Sequence, residues 1–456
     1  MPRWWNVWNK KSRVPRNAAE YCSTQRLSYT GVLSCEHAYE KDGLDRMSTS
    51  TQAALATDYA PAQATSVPRV GALVGAMPAR SRIASIDVMR GLVMVIMLMD
   101  HVREAIYRHL QVGDPMSVAT TAPDLFFTRL SAHLCAPTFV FLTGLSAWLY
   151  AHPPAGGTRP VRGFLIKRGL LLVVLELTLV NFAWSGEFPP TVLWLQVIWA
   201  IGLSMIVLGL LSDLPRWVLA ALGFVIVFGH NALTPVTFAP GSVFHIPWAV
   251  LHERAFLVAE GPLKIKVTYP LLAWIGVILL GYAAGPLYSR AVTAARRTRI
   301  LLALGIGCLC GLAVLRGFNI YGETLPWVQG ADSVHTLMSW VNFTKYPPSL
   351  DFLLLTLGAA FLLLAGFESR DNRATRVLVI FGGAPMFFYL LHLYTLLVLY
   401  RVALAVFGPN HGERFGVDHV WWIWVVAAAL ACALYFPCRA FTRFKRTSPQ
   451  AWVRYF

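Results

Sequence analysis

Charged residues are scarce in this chain of 456 residues, since Asp, Glu, Lys and Arg together make up only 14% of it. A soluble domain has roughly a quarter of its residues charged, so the composition excludes an ordinary soluble protein. Hydrophobic residues account for 56% of the chain and recur in long apolar runs. These features predict an all-α polytopic membrane protein.

Cysteine is also used sparingly, because the seven cysteines form no Cys-x-x-Cys pair and show no metal-ligand spacing. We therefore expect no metal. The net charge of +16 does not require nucleic acid as a partner, since Lys and Arg accumulate on cytoplasmic loops and attract membrane lipids. No internal repeat is visible, which disfavours the duplicated transporter folds.

Residues 1–80 contain no sustained apolar run and are rich in Ser, Thr, Ala and Pro. This composition predicts a disordered N-terminal extension. The stretch from Met47 onward is typical of a native start, which leaves open whether residues 1–46 are translated. Residues 81–456 are expected to form the membrane domain.

Ten segments of the membrane domain are apolar and long enough to cross a bilayer. Their approximate bounds are 86–107, 124–150, 164–183, 191–211, 216–232, 269–289, 300–318, 349–367, 377–406 and 420–440. With about ten transmembrane helices, the clusters of Lys and Arg all fall on one side, so both termini are predicted to be cytoplasmic. Residues 244–257 are too short and too polar to cross and are expected at the membrane interface.

The first apolar segment carries ionisable residues near both ends, where they are costly in hydrocarbon and therefore indicate function. Asp87 and Arg90 are three residues apart near its cytoplasmic end and can form an ion pair. His101 lies eleven residues beyond Arg90 on nearly the same face, about 16 Å further out. Asp100 precedes His101 and is expected to orient its tautomer. The alternative for Asp87 and Arg90 is an ion pair without function.

Other polar residues are predicted at the depth of His101. His133 lies four residues after Arg129 in the second segment, His392 lies in the ninth, and Lys345 precedes the eighth. A His101 that faces His133 at equal depth, in a shared wet cavity, would form an acid–base site. The alternative that these histidines are packing residues stays open.

Five stretches resemble an uncharacterised bacterial branch of membrane proteins: "RIASIDVMRGLVMVIMLMDHVRE", "HLCAPTFVFLTG", "YPLLAWIGVILLGYAAG", "TKYPPSL" and "GAPMFFYLLH". That branch is grouped with the catalytic domain of heparan-α-glucosaminide N-acetyltransferase, a lysosomal transmembrane enzyme. The resemblance covers roughly residues 82–405. It implies a transmembrane acyltransferase-like domain over 81–456, located in a bacterial inner membrane.

The resemblance further implies that acetyl-CoA binds from the cytoplasm as acyl donor. Its acetyl group would pass to a glycan-like, amino-sugar or lipid-linked acceptor on the periplasmic side. The family's polar residue late in the first helix falls at Asp100 or His101. Its catalytic histidine precedes the second-helix motif, where this chain offers His109. The family's Leu-Gln-Arg is replaced by Leu195-Gln196-Val197.

Acyl transfer across the membrane is therefore the favoured function. The candidate catalytic residues are His101, Asp100, His133 and His392, and the candidate residues for binding acetyl-CoA are Arg90, Asp87, Arg168 and Lys345. The alternatives are a transporter or flippase, coupled to protons through Asp100, Glu176 and His392, and an assembly factor with inert polar residues. A homodimer and a monomer are both open.

Overall fold

The computed structural model describes residues 84–154, 156–450 and 452–453, so the predicted disorder of residues 1–80 lies outside the described residues. Helices dominate the described part. They are α1 (Ala84–Ile106), α2 (Pro123–Ser131), α3 (Cys135–Ala151), α4 (Arg162–Leu175), α5 (Asn181–Ser185), α6 (Val197–Leu211), α7 (Arg216–Gly229), α8 (His245–Leu251), α9 (Leu272–Ala283), α10 (Ala294–Gly317), α11 (Ser333–Trp340), α12 (Leu350–Phe367), α13 (Arg373–Gly383), α14 (Pro385–Phe407) and α15 (Trp421–Thr447).

Helical structure coincides with each of the ten apolar segments. In the described part, six helical stretches are long and apolar enough to cross a membrane: Pro123–Ala151, Arg216–Leu233, Ala294–Gly317, Leu350–Phe367, Pro385–Phe407 and Trp421–Thr447. Two shorter apolar stretches are Val197–Leu211 and Leu272–Tyr288. The protein is therefore a mostly helical, multi-pass membrane protein. That the chain crosses the membrane ten times, with both termini in the cytoplasm, stays a prediction.

A small sheet adds to the expected all-α fold. Its strands are β1 (Val192–Leu195), β2 (Phe256–Val258) and β3 (Lys264–Val267), in the order β1-β3-β2. β1 pairs with β3 in parallel, and β2 with β3 antiparallel. The predicted segment 191–211 therefore begins as a strand, and the predicted interfacial stretch 244–257 contains α8 and the start of β2.

Two predicted helices are interrupted. The segment 377–406 consists of α13 and α14, which meet at Ala384 because Pro385 has no N–H to continue a helical hydrogen-bond ladder. The segment 164–183 contains a π-helical turn at Glu176–Val180, between α4 and α5. Such turns frequently accompany functional sites.

Helix α1 lies inside the bundle and packs against α3, α12, α13, α14 and α15. Its approach to α13 is close, because a Cβ atom at Gly91 would overlap the main-chain carbonyl of Leu378. A Cβ atom at Gly382 would likewise overlap the carbonyl of Asp87. The two backbones are therefore in contact, and α1 carries its polar residues into the centre of the protein.

Candidate active site

A cavity of about 130 Å³ lies between α1, α3, α4, α6 and α14. Its walls are mostly apolar. The polar side chains that line it belong to Asp100, His101, Thr143, Arg168, Tyr269, Lys345 and Tyr389. An apolar cavity with a few converging polar groups is typical of a small-molecule site. It brings together four predicted site residues, which come from α1, α4 and the loop before α12.

His101 and His392 form the first polar contact at this cavity. Their Nδ1 and Nε2 atoms, respectively, are 2.7 Å apart. Nδ1 of His392 lies 2.8 Å from the carbonyl oxygen of Phe388. Since a carbonyl only accepts hydrogen bonds, Nδ1 of His392 carries a proton, and the Nε2 of neutral His392 is an acceptor. His101 therefore donates through Nδ1, and its Nε2 keeps a lone pair.

The two imidazoles are held in an aromatic environment. His392 is fully buried, and its ring stacks on Phe388 at a centroid distance of 5.2 Å. The edges of Trp184 and Tyr389 contact His101 at centroid distances of 4.9 and 6.1 Å. Because packing restricts both rings, the lone pair of His101 has a fixed direction.

Asp100 makes different contacts from those predicted. Its carboxylate lies between two guanidinium groups, 3.0 Å from Nε of Arg103 and 2.5 Å from Arg129. The structure therefore corrects the prediction that Asp100 orients His101, a role that His392 takes instead. The prediction was wrong because it placed Asp100 beside His101 by sequence, while adjacent residues of a helix point in different directions.

His133 is also placed differently from the prediction. Its Nε2 lies 3.0 Å from Asp114, which in turn forms an ion pair with Arg129. The buried chain Arg103–Asp100–Arg129–Asp114–His133 thus links α1 to the start of the second apolar segment. His133 faces this chain and Phe352 rather than His101. The spacing of residues in the sequence did not predict that the loop 107–122 folds back. It therefore did not predict the position of Asp114 either.

Asp114 lies between Arg129 and His133 in this series of ion pairs and is outside the membrane-spanning helices. Burial alone would raise the pKa of its carboxyl group. The attraction of Arg129 and the hydrogen bond with His133 outweigh burial and hold the pKa well below its ordinary value. Asp114 is therefore ionised at neutral pH and neutralises part of the charge of Arg129.

Lys345 is placed by a tightly held loop. Arg316 donates hydrogen bonds to the main-chain carbonyls of Ser339 and Asn342, 2.9 and 3.0 Å away. Glu323 accepts from the main-chain N–H of Thr344 at 2.9 Å. Lys345 is only 4% exposed and interacts electrostatically with Asp100 and His101. Its position at the cavity places a positive charge near His101.

The other predicted donor-binding residues lie towards the opposite end of α1. Asp87 and Arg90 form the predicted ion pair, with 3.0 Å between Oδ1 and Nη1, and Arg90 also contacts Ser146. Arg168 interacts electrostatically with Arg90. Its Nε is buried without a hydrogen-bond partner among the described residues. Because buried donors are normally paired, Arg168 suits an anionic ligand.

Sequence reasoning missed several residues of this site, among them Asp114 and Tyr269. Asp114 lies in a loop between apolar segments, and Tyr269 lies within the quoted stretch "YPLLAWIGVILLGYAAG". A tyrosine at the edge of an apolar run is usually an interface anchor, so it gave no functional signal. Within the described ranges, no group of three or more His, Cys, Asp or Glu side chains is arranged to hold a metal ion.

Comparison with protein families matches residues 82–315 to the family "heparan-alpha-glucosaminide N-acetyltransferase, catalytic". The match covers slightly more than half of the chain. The chain belongs to this family. The predicted resemblance is thereby confirmed, and membership favours a membrane acetyltransferase over the alternative transporter. Comparison with curated proteins yields no match. The matched region contains Asp100, His101, His133 and Arg168, whereas Lys345 and His392 lie beyond it.

Proposed function

We propose that the protein transfers an acetyl group from cytoplasmic acetyl-CoA to an amino sugar or another glycan on the periplasmic side of a bacterial inner membrane. The observation that carries this proposal is the hydrogen bond of 2.7 Å between His101 and His392 at the cavity wall. It holds a neutral imidazole with an available lone pair at a residue that lines the cavity, as general base catalysis requires.

His101 is the catalytic base in this mechanism. The nitrogen or oxygen of the acceptor attacks the thioester carbon while Nε2 of His101 takes its proton. A C–N or C–O bond forms, the C–S bond breaks, and the proton passes from His101 to the departing thiolate of CoA. The ammonium group of Lys345 stabilises the negative charge that develops on the carbonyl oxygen.

Two cations lie at the proposed donor end, where Arg168 lines the cavity and Arg90 interacts electrostatically with Arg168. Arg168 and Arg90 would bind phosphate groups of acetyl-CoA, since guanidinium groups pair with phosphate through charge-assisted hydrogen bonds. Arg90 and His101 are separated by about 16 Å along α1, so an extended pantetheine arm would join the two ends. Ten membrane crossings with cytoplasmic termini would place Arg90 at the cytoplasmic end and His101 near the periplasm.

Acetyl transfer by the purified protein in lipid nanodiscs tests this function. The reaction would contain acetyl-CoA and either an amino sugar or a hydroxyl-bearing glycan, and the free thiol of CoA and the acetylated product would be measured. We expect His101→Ala to lower kcat by roughly 10²- to 10⁴-fold, because it removes the base. His335→Ala serves as the control, since His335 lies in α11 and pairs with the exposed Asp332.

Two outcomes would contradict the proposal. One is an active His101→Ala variant with the kcat of the wild type. The other is a wild type that releases no thiol with any acceptor but moves a solute across sealed vesicles when a proton gradient is applied, as the alternative transporter would.

A further inference from the structure

Tyr269 lines the cavity, and the mechanism above does not use its hydroxyl group. The main chain fixes its position, because β1 and β3 pair Leu195 with Val267 and the N–H of Tyr269 donates to the carbonyl of Leu195 at 3.3 Å. Its ring packs against Tyr346 and Trp274, at centroid distances of 4.9 and 5.8 Å. The residue is only 8% exposed.

The hydrogen bond between the two tyrosines has a direction. The hydroxyl of Tyr346 donates to the hydroxyl oxygen of Tyr269 over 3.3 Å. The oxygen of Tyr269 is thus an acceptor in this bond, and its own proton must point elsewhere. No acceptor for that proton is found among the described residues. A phenol is protonated at neutral pH, so Tyr269 has a hydrogen bond to offer at the cavity wall.

Tyr269 and Lys345 belong to the same end of the cavity. The ammonium group of Lys345 lies 5.4 Å from the ring centroid of Tyr346, whose hydroxyl contacts Tyr269. Lys345 also interacts electrostatically with His101. Tyr269, Lys345 and His101 therefore line the same cavity. A phenol and an ammonium group beside a base are the donors that a developing oxyanion requires.

We propose that Tyr269 is a further catalytic residue, whose hydroxyl donates a hydrogen bond to the carbonyl oxygen of the acetyl thioester, and that Tyr346 is its positioning residue. The inference rests on the proposed function. When the acceptor attacks, the C=O double bond becomes a C–O⁻ single bond, and Tyr269 and Lys345 stabilise this charge together. The charge returns to the carbonyl as the C–S bond breaks, and Tyr269 keeps its proton throughout.

Steady-state kinetics of Tyr269→Phe test the proposal. The variant keeps the ring that packs on Trp274 and Tyr346 and loses only the hydroxyl. We expect kcat for acetyl transfer to fall by roughly 10²- to 10³-fold, with the KM for acetyl-CoA unchanged, because the hydrogen bond strengthens only in the transition state. Tyr282→Phe, at the other end of α9, is the matched control and is expected to keep the kcat of the wild type.

Tyr346→Phe tests the positioning role. We expect a smaller loss of kcat, of about tenfold, since the phenol of Tyr269 remains but is no longer held in one direction. Combining the two substitutions should cost no more than Tyr269→Phe alone, because Tyr346 acts through Tyr269. A merely structural role for Tyr346 would instead add its effect to that of Tyr269→Phe.

The outcomes separate this inference from the proposed function. A wild type that transfers acetyl groups while Tyr269→Phe keeps its kcat, or changes only the KM, would overturn the role of Tyr269 and leave the proposed function standing. A wild type without any transfer would overturn both.

Discussion

His101 and His392 lie 291 residues apart in the sequence, yet Nδ1 of the first is 2.7 Å from Nε2 of the second. The bond joins α1 to α14 and determines which ring nitrogen of His101 keeps a lone pair. This pair of side chains thus connects the matched family region, 82–315, to a helix beyond it. The acid–base chemistry of the site depends on both parts of the chain.

Replacement of His392 should therefore impair catalysis without weakening donor binding. In His392→Phe, aromatic packing against Phe388 is kept, but His101 loses the acceptor for its Nδ1–H. We expect kcat to fall by roughly tenfold to hundredfold, as when the partner of a functional histidine is removed. The KM for acetyl-CoA should stay the same. His392→Gln is the control, since its amide oxygen can accept the same hydrogen bond, and it should retain more activity than His392→Phe.

Donor binding should depend on Arg168. Its guanidinium group, whose Nε is buried, is expected to pair with a phosphate. Arg168→Ala should therefore weaken the binding of acetyl-CoA by roughly tenfold to hundredfold. Isothermal titration of the protein in detergent with acetyl-CoA would measure this loss. The exposed neighbour Lys167 provides the control, and Lys167→Ala should bind as the wild type does. Equal affinities of all three proteins would show that Arg168 does not contact the donor.

Asp114 should stabilise the folded protein through the buried chain of ion pairs. Asp114→Asn removes a charge that is 1% exposed, leaves His133 and Arg129 under-paired and should cost about 3 kcal/mol. Thermal unfolding in detergent would show this as a lower melting temperature. Asp213→Asn breaks an ion pair with Arg162 in which the side chain of Asp213 is 75% exposed. This control should change the melting temperature little.

The contribution of Asp114 should also depend on pH. The folded state holds the pKa of its carboxyl below the ordinary value of 3.8. The stabilisation is therefore complete above that value and is lost as the pH falls below it towards the folded-state pKa. Melting temperatures measured from pH 6 down into this acidic range should fall less steeply for Asp114→Asn than for the wild type. Parallel curves would contradict the assignment.

Because α1 and α13 are in backbone contact at Gly91, any side chain at this position should destabilise the protein. The added methyl group of Gly91→Ala would overlap the carbonyl of Leu378 and push the two helices apart, at an expected cost of about 1–3 kcal/mol. Gly307→Ala in α10 is the control, because a Cβ atom there meets nothing within 4 Å and alanine favours helix. Elution and melting of the detergent-solubilised proteins would reveal the difference, and equal stability would contradict it.

Much of the fold could be predicted because membrane helices are encoded locally. A run of apolar residues must satisfy its main-chain hydrogen bonds within itself in hydrocarbon, so its length and position follow from hydropathy. The ion pair of Asp87 with Arg90 was predictable for the same reason, since residues three apart on a helix are neighbours. The break at Ala384 was less visible, because proline is compatible with both a kinked helix and a new helix start.

The sequence by itself determined the helical class, the positions of the apolar segments, the family and the presence of costly ionisable residues near the ends of α1. The tertiary structure alone decided which of these residues meet: His101 with His392, Asp100 with Arg129, and His133 with Asp114. Helical periodicity reports the face on which a side chain lies, but not the helix that packs against that face. That choice depends on packing across the whole bundle, in contacts such as the one between Gly91 and Leu378.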